Sequence, residues 1–167
     1  EVWAAEELAR RLMGHRLDCL ESPIITGAHG ESFNEWRRLR QRIGFPIAEH
    51  TDAARLLSMR SAEAIDYAII GAPNAVETVR LSAMAEKLGI PSWTQFVGLG
   101  INNALGLHVC AAGPSMTRPH DFVGFWAKED DCVVEEFPIV DGSVEVPTSP
   151  GLGITLDSDA VERYLVR

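Results

Sequence analysis

Short apolar runs alternate with amphipathic stretches through most of this chain, and that alternation restricts the fold more than any single residue does. The runs begin near residues 17, 45, 66 and 90, 21 to 28 residues apart. Strand–helix units of this length join neighbouring strands that run parallel in one sheet. Strands are expected at 17–20, 45–48, 67–70 and 90–95. Tyr67 to Ile70 is apolar throughout, as a strand covered on both faces should be. Helices are expected at 33–43, with Trp36, Leu39 and Ile43 on one face, and at 52–62, with Ala53, Leu56, Leu57 and Arg60 at helical spacing. Asp52 sits in the first turn of the second of these. Asn74 is the expected N-cap of a helix over 75–88, and Gly89 its C′ residue. Residues 102–112 read as a small-residue helix or a strand–helix hybrid around His108.

The chain opens directly in a helix, Val2 to Met13, with no strand before it. After residue 113 the character changes, because Pro114, Pro119, Pro138, Pro147 and Pro150 interrupt it. Short strands at 132–137 and 144–146, the turn Asp141-Gly142 and a final helix from Asp157 are expected there. A closed barrel of eight strand–helix units takes roughly 250 residues. Four clear units in 167 residues are either a small open α/β sheet or the later part of such a barrel. On the second reading, residues 1–126 are the barrel part and 127–167 a tail packing toward a further domain.

Charge narrows the partners. The 24 acids and 15 bases leave a net charge of −9, which disfavours nucleic acid and anionic membrane. No apolar run approaches the roughly 18 residues of a spanning helix. Glu1, Glu6, Glu7, Arg10 and Arg11 speak against a signal peptide in the first stretch. Cys19, Cys110 and Cys132 are widely spaced and form no CxxC, so a disulfide framework and a zinc site find no support. A reduced, cytoplasmic setting fits. Lys87 and Lys128 are the sole lysines available as catalysts.

Active sites of parallel α/β folds lie at the carboxyl ends of the strands. There the sequence places Glu21, then Glu49-His50, then Gly71 to Asn74, then Thr94-Gln95. Two acids at adjacent strand ends can share one Mg²⁺, which takes a few carboxylates plus waters and substrate oxygens. Plainer readings stand beside this one. Glu21 is equally a solvated loop acid, Glu49 an acid favoured by the dipole of the following helix, and His50 a structural hydrogen-bonding residue. His108 reads as a core histidine, Trp93 as core, and His15, His29 and His120 as surface or loop residues. Pro150-Gly151-Leu152-Gly153 lacks the spacing of a phosphate loop and reads as a turn.

Five segments, in order, resemble one family. Leu17 to Pro23 looks like the strand "hydrophobic-x-x-hydrophobic-Glu-x-Pro" of the enolase superfamily. Phe45 to His50 resembles its next strand, "Pro-Ile-x-x-x-Glu", with a shortened spacer. Residues 66–91 are similar to its "Asp-hydrophobics … Ala-x-x-x-Gly-Ile-Pro" segment, and Leu107 to Ala112 to its last barrel strand region, "Leu-His-x-Ala-Ala". Val146 to Asp157 closely resembles the terminus of the mandelate racemase and muconate lactonizing branch, "Val-Pro-x-x-Pro-Gly-Leu-Gly-hydrophobic-x-hydrophobic-Asp".

The resemblance implies a (β/α)8-type TIM barrel with a capping domain, of which this chain is the later part. It implies a Mg²⁺-dependent enzyme that takes a proton from the carbon beside a carboxylate and stabilises an enediolate. The reaction would be a dehydration, cycloisomerisation, epimerisation or racemisation of a small carboxylate substrate. It also implies a homo-oligomer for the full-length protein. Carried across, Glu21 matches the second metal ligand and Glu49 the third. The first ligand, an Asp, would fall before Glu1, and so would a "Lys-x-Lys" strand. Departures accompany this. No Lys stands near Ile70 or Gly71, and Thr94 or Gln95 replaces a His at the next strand end. Asn74-Ala75 replaces a Gly-Gly. His50 and Gln95 are then the candidates for proton transfer or substrate contact. The alternative is a divergent, non-catalytic barrel that binds a carboxylate ligand or serves as an assembly partner.

Overall fold

In the computed structural model, described for residues 2–24, 33–125, 128 and 130–165, the strand–helix alternation is plain. Helix α1 spans Val2–Leu12. Then β1 (Leu20–Glu21), α2 (Phe33–Arg42), β2 (Ile47–Thr51), α3 (Ala53–Ser61), β3 (Tyr67–Ile70), α4 (Ala75–Lys87) and β4 (Ser92–Trp93) follow in order. These four strands form one sheet in the order β1-β2-β3-β4, each pair parallel. Strand β5 (Gln95–Phe96), helix α5 (Gly100–Ala112) and strand β6 (Asp121–Phe122) come next, with β5 and β6 parallel in a second sheet. Helix α6 (Ser158–Tyr164) closes the described chain.

Sequential strand order distinguishes barrels from doubly wound sheets, whose order reverses at a switch point. The packing agrees. One buried cluster joins Leu20, Ile47, Ala68 and Ile70 to the helix residues Trp36, Leu39, Leu56 and Leu81. A second cluster contains only strand residues, Ala48, Ile69 and Trp93, with Cys19 and Tyr67 against it. Successive strand residues therefore alternate between a helix-covered outer face and a concave inner face. The fold is a sector of a (β/α) barrel.

Local signals explain most of the boundaries. Asn74 accepts from Glu77 N at 3.0 Å and begins α4, as expected. Gly89 leaves that helix with φ +68°. Asp52 is the true N-cap of α3, accepting from Arg55 N at 2.8 Å, and not a first-turn residue. The buried face of α3 is Leu56 and Met59, while Leu57 faces solvent. Arg40 grips Asp66 with two nitrogens, and Asp66 also accepts from Ile47 N, so one ion pair ties α2 to the start of β2 and β3. His29 lies outside the described residues.

Three expectations change. The strand at 90–95 is broken at Thr94, because Ser92 and Trp93 pair with β3 whereas Gln95 and Phe96 pair with β6. Residues 107–112 are not a barrel strand but the second half of α5. The last strand region is at 115–122, which follows 92–96 through Ser92 N to Ser115 O and Asp121 N to Thr94 O. Gly106 permits this arrangement: a Cβ there would meet Phe122 at 2.7 Å and Phe96 at 2.9 Å. In the tail, the described residues 132–137 and 144–146 form no regular strands, only the bridges Val133–Leu156 and Val140–Ser143. The turn between Val140 and Ser143 holds, with Asp141 at φ +49° and Gly142 at φ +76°, both left-handed as a two-residue hairpin requires.

Candidate functional site

The carboxyl-terminal parts of β1 and β2 and the first residue of β5 bring Glu21, His50 and Gln95 to one place. In the parallel ladder Glu21 pairs with Ala48, and His50 with Ile69. Ala48 and Ile69 both belong to the inner cluster, so Glu21 and His50 point inward. His50 Nε2 lies 3.1 Å from Glu21 Oε1, with both side chains about half exposed. Gln95 Nε2 stands 3.5 Å from the same Glu21 oxygen and 3.3 Å from Asp121 Oδ2 on β6. One amide thus bridges two carboxylates across the seam between the two sheets. Ser22, just after Glu21, takes φ +45° and turns the chain sharply away from the strand end. His50, Gly71, Gln95 and Asn102 line a cleft of about 370 Å³ beside this group.

Glu49 is not part of the constellation. It pairs with Ala68, which packs against the helices, so Glu49 points outward and is 5% exposed. Burial pushes its carboxyl above the usual range, against the opposing effects of the Ser22 hydroxyl and Arg55. Arg55 Nη2 is 3.8 Å away. Glu49 Oε2 has no hydrogen-bond partner among the described residues, a position that a protonated carboxyl tolerates better than an ionised one. The physical reason for the outward turn is the two-residue period of a strand. Residues 49 and 50 must face opposite ways, and β2 continues to Thr51 rather than ending at Ala48. Glu49 therefore has no place beside Glu21, and His50 takes it.

Sequence reasoning misses Asp121, which no spacing rule singles out because the proline-interrupted stretch after residue 113 carries no strand period. It also places His120 at the surface. His120 is half-buried, its Nδ1 accepts from Thr94 N at 3.3 Å, and burial pulls its imidazole below the usual value. His108 is a partly buried residue within hydrogen-bond distance of Leu152 O, as a structural histidine would be. Trp93 is core. Burial pushes the Cys110 thiol up to about 12, which makes it an inert packing residue.

Among the described residues, the groups gathered at Glu21 do not by themselves make up a Mg²⁺ site. That ion asks for near-octahedral oxygen ligands. The groups touching Glu21 are an imidazole nitrogen and an amide nitrogen. Among the described residues no three His, Cys, Asp or Glu side chains gather so as to hold a metal ion.

A parallel, singly wound barrel sector with polar side chains at its strand ends defines the class: a (β/α)-barrel fold, in which functional sites lie on the carboxyl face. The family follows from comparison. The model of the enolase C-terminal domain-like family matches residues 1–160, and the chain belongs to that family. It is 30% identical to an N-succinylamino acid racemase of Thermus thermophilus, over 92% of this chain and 42% of that protein. It is 28% identical to a chloromuconate cycloisomerase of Cupriavidus necator, with the same two coverages, 92% and 42%. It is 26% identical to a D-gluconate dehydratase of Thermoproteus tenax, over 96% of this chain and 33% of that protein. The chain thus spans between a third and a half of the length of these relatives.

Solved structures agree on the fold. A mandelate racemase/muconate lactonizing family protein from Azoarcus superposes with a TM-score of 0.85 at 21% identity, over 98% of this chain and 47% of that one. An enolase from Thermobispora bispora, complexed with magnesium and formate, gives 0.81 at 25% identity, over 97% and 39%. Among the described residues no helix is long and apolar enough to cross a membrane.

Proposed function

We propose that this chain forms the carboxyl-face site of an enolase-superfamily enzyme that removes a proton from the carbon beside a carboxylate in a small substrate. The outcome is an isomerisation or an elimination. The observation that carries the reading is the convergence of Glu21, His50, Gln95 and Asp121 from four strands through direct side-chain contacts. The chemistry suits them. A proton next to a carboxylate is very weakly acidic, so the site must accept it and hold the charge that develops on the substrate oxygens. The Gln95 amide, already aimed between two carboxylates, donates to substrate oxygen. Asp121, half-buried on the opposite side of Gln95 from Glu21, is a carboxylate placed to accept a proton or a substrate hydroxyl. The substrate is a small carboxylate, and relatives that act as racemase, cycloisomerase and dehydratase support this range.

The test uses the full-length protein that carries this chain. Exchange of the α-proton with solvent deuterium is followed over a set of acid sugars and N-acylated amino acids. Exchange with at least one substrate, lost about 10²-fold or more in Asp121→Asn, supports the reading. Binding of a carboxylate with no exchange in any substrate would favour a non-catalytic carboxylate-binding barrel. The absence of Lys near Ile70 and Gly71 is what keeps that second reading in view.

A further inference from the structure

We infer that the substrate of this site carries an apolar body beside its carboxylate, an aliphatic or aromatic chain in place of the row of hydroxyls of an acid sugar. The inference deepens the reading given above and rests on it. It starts from how unevenly polar groups are spread over the carboxyl face. Glu21, His50, Gln95 and Asp121 gather on one side, in contact with one another. The rest of the cleft, where β3 ends and the chain leaves β5, is formed by Ile69, Gly71, Phe96 and Val97. Asn102 also lines it, but its amide is turned back toward Val97 O at 3.4 Å. The cleft thus has a polar end for a carboxylate and an apolar end for whatever the carboxylate carries.

Two features suit the apolar end to its occupant. Strand β3 runs on into Gly71-Ala72-Pro73, which holds no charged side chain, and a Cβ built at Gly71 would meet nothing within 4 Å. Bare backbone is therefore the wall there. A second cavity of about 310 Å³ adjoins at Gly71, lined by Ala53, Ala72, Pro73, Leu81 and Met84. Its charged members are already engaged: Arg80 donates to Glu77 at 2.6 Å, and Asp52 caps α3. The other feature is the rim. Val97 is 74% exposed, and Leu99 and Ile101, next along the loop and the first turn of α5, are each 42% exposed. Apolar side chains left in water beside a polar cleft favour a ligand that covers them. An acid sugar laid along the same path would lose water from each hydroxyl and meet mostly carbon in return.

The test is a binding measurement on the full-length protein, made by titration calorimetry with hexanoate, gluconate and acetate. Hexanoate and gluconate share a chain length and a carboxylate and differ in the hydroxyls. Hexanoate should bind about tenfold or more tighter than either of the others, from the buried methylenes in one comparison and the unpartnered hydroxyls in the other. Two variants locate the effect. Gly71→Val narrows the cleft at a residue whose φ is not positive, so the backbone accepts a side chain, and Val97→Asn makes an exposed wall polar. In each, the advantage of hexanoate over acetate should shrink about threefold or more, with folding checked by circular dichroism. Gluconate binding as tightly as hexanoate, no binding of hexanoate, or an advantage that survives both substitutions would each overturn the inference. The reaction is judged separately. Exchange of the α-proton in acid sugars alone would overturn this inference and leave the reaction standing. Hexanoate binding as expected, with no exchange in any acid, would count against the reaction and leave the apolar end of the cleft in place.

Discussion

Gln95 on β5 and Asp121 on β6 are direct partners in the parallel ladder, and the Gln95 amide reaches 3.3 Å to Asp121 and 3.5 Å to Glu21 on β1. A neutral donor held between two carboxylates offsets part of their mutual repulsion by hydrogen-bonding to both. It also connects the first and the last strands of the described sector.

Gln95→Glu places a third carboxylate between Glu21 and Asp121. Like charges in one site raise carboxyl pKa values. The variant should lose most of its proton-exchange activity at neutral pH. Its activity relative to the parent should rise as the pH falls, because the introduced carboxyl, once protonated, can donate as the amide does. The pH–rate profiles of parent and variant, measured side by side, check this, and a constant ratio would refute it.

His120 gives a pH dependence of stability. Burial lowers its folded pKa from the ordinary 6.5, and Thr94 N donates to its Nδ1, so the folded state keeps it neutral. The unfolded chain then binds more protons below that value, and stability falls as pH drops through the window just beneath it. His120→Asn keeps an acceptor for Thr94 N and cannot titrate. The stability advantage of the parent over this variant should shrink as pH falls from about 7 to about 5, the range in which a histidine near its ordinary value titrates. Thermal unfolding at closely spaced pH values follows it.

Asp131 ties the tail to the barrel. Its carboxylate accepts from Gly100 N at 2.8 Å and 3.0 Å, at the first turn of α5, and pairs with Lys128. Burial raises its pKa, but Lys128 and the Gly100 and Cys132 amides together hold it below the usual 3.8. Its contribution is therefore present above that value and lost as the pH falls through the folded pKa. Asp131→Asn should cost about 1.5–3 kcal/mol at neutral pH, as expected for losing hydrogen bonds to a charged acceptor. Gly100→Ala should cost a similar amount or more, because its Cβ would collide with Val133. Denaturant titration of the full-length protein reads both.

Asp66→Asn tests the tie between α2 and the sheet. Arg40 meets Asp66 through Nε and Nη2, and the pair raises the Arg40 pKa. Ile47 N also donates to Asp66. Both side chains are partly exposed, so solvent screening limits the loss to about 1–2 kcal/mol. A drop in unfolding midpoint with unchanged denaturant slope is the expected result.

Much of this protein is determined by local sequence. Tyr67–Ile70 is a strand, Asn74 caps α4 and Gly89 releases it, because apolar continuity, a capping carbonyl and a residue tolerant of positive φ act within a few positions. The family is legible for the same reason, as ordered local motifs such as Val146 to Asp157. Glu21 and His50 are also visible as residues at strand ends. What tertiary structure alone decided is which of them meet. Whether Glu49 or His50 faces inward depends on where β2 ends and on its register with Ala68 and Ile69, and a shift of one residue inverts the answer. The strand region at 115–122 and the helical state of Leu107–Ala112 were likewise decided by pairing with residues 92–96 and by the close fit of Gly106 against Phe96 and Phe122. Hydrogen bonds between residues so distant in sequence leave no periodic signal along the chain, so only the folded arrangement places Asp121 beside Gln95.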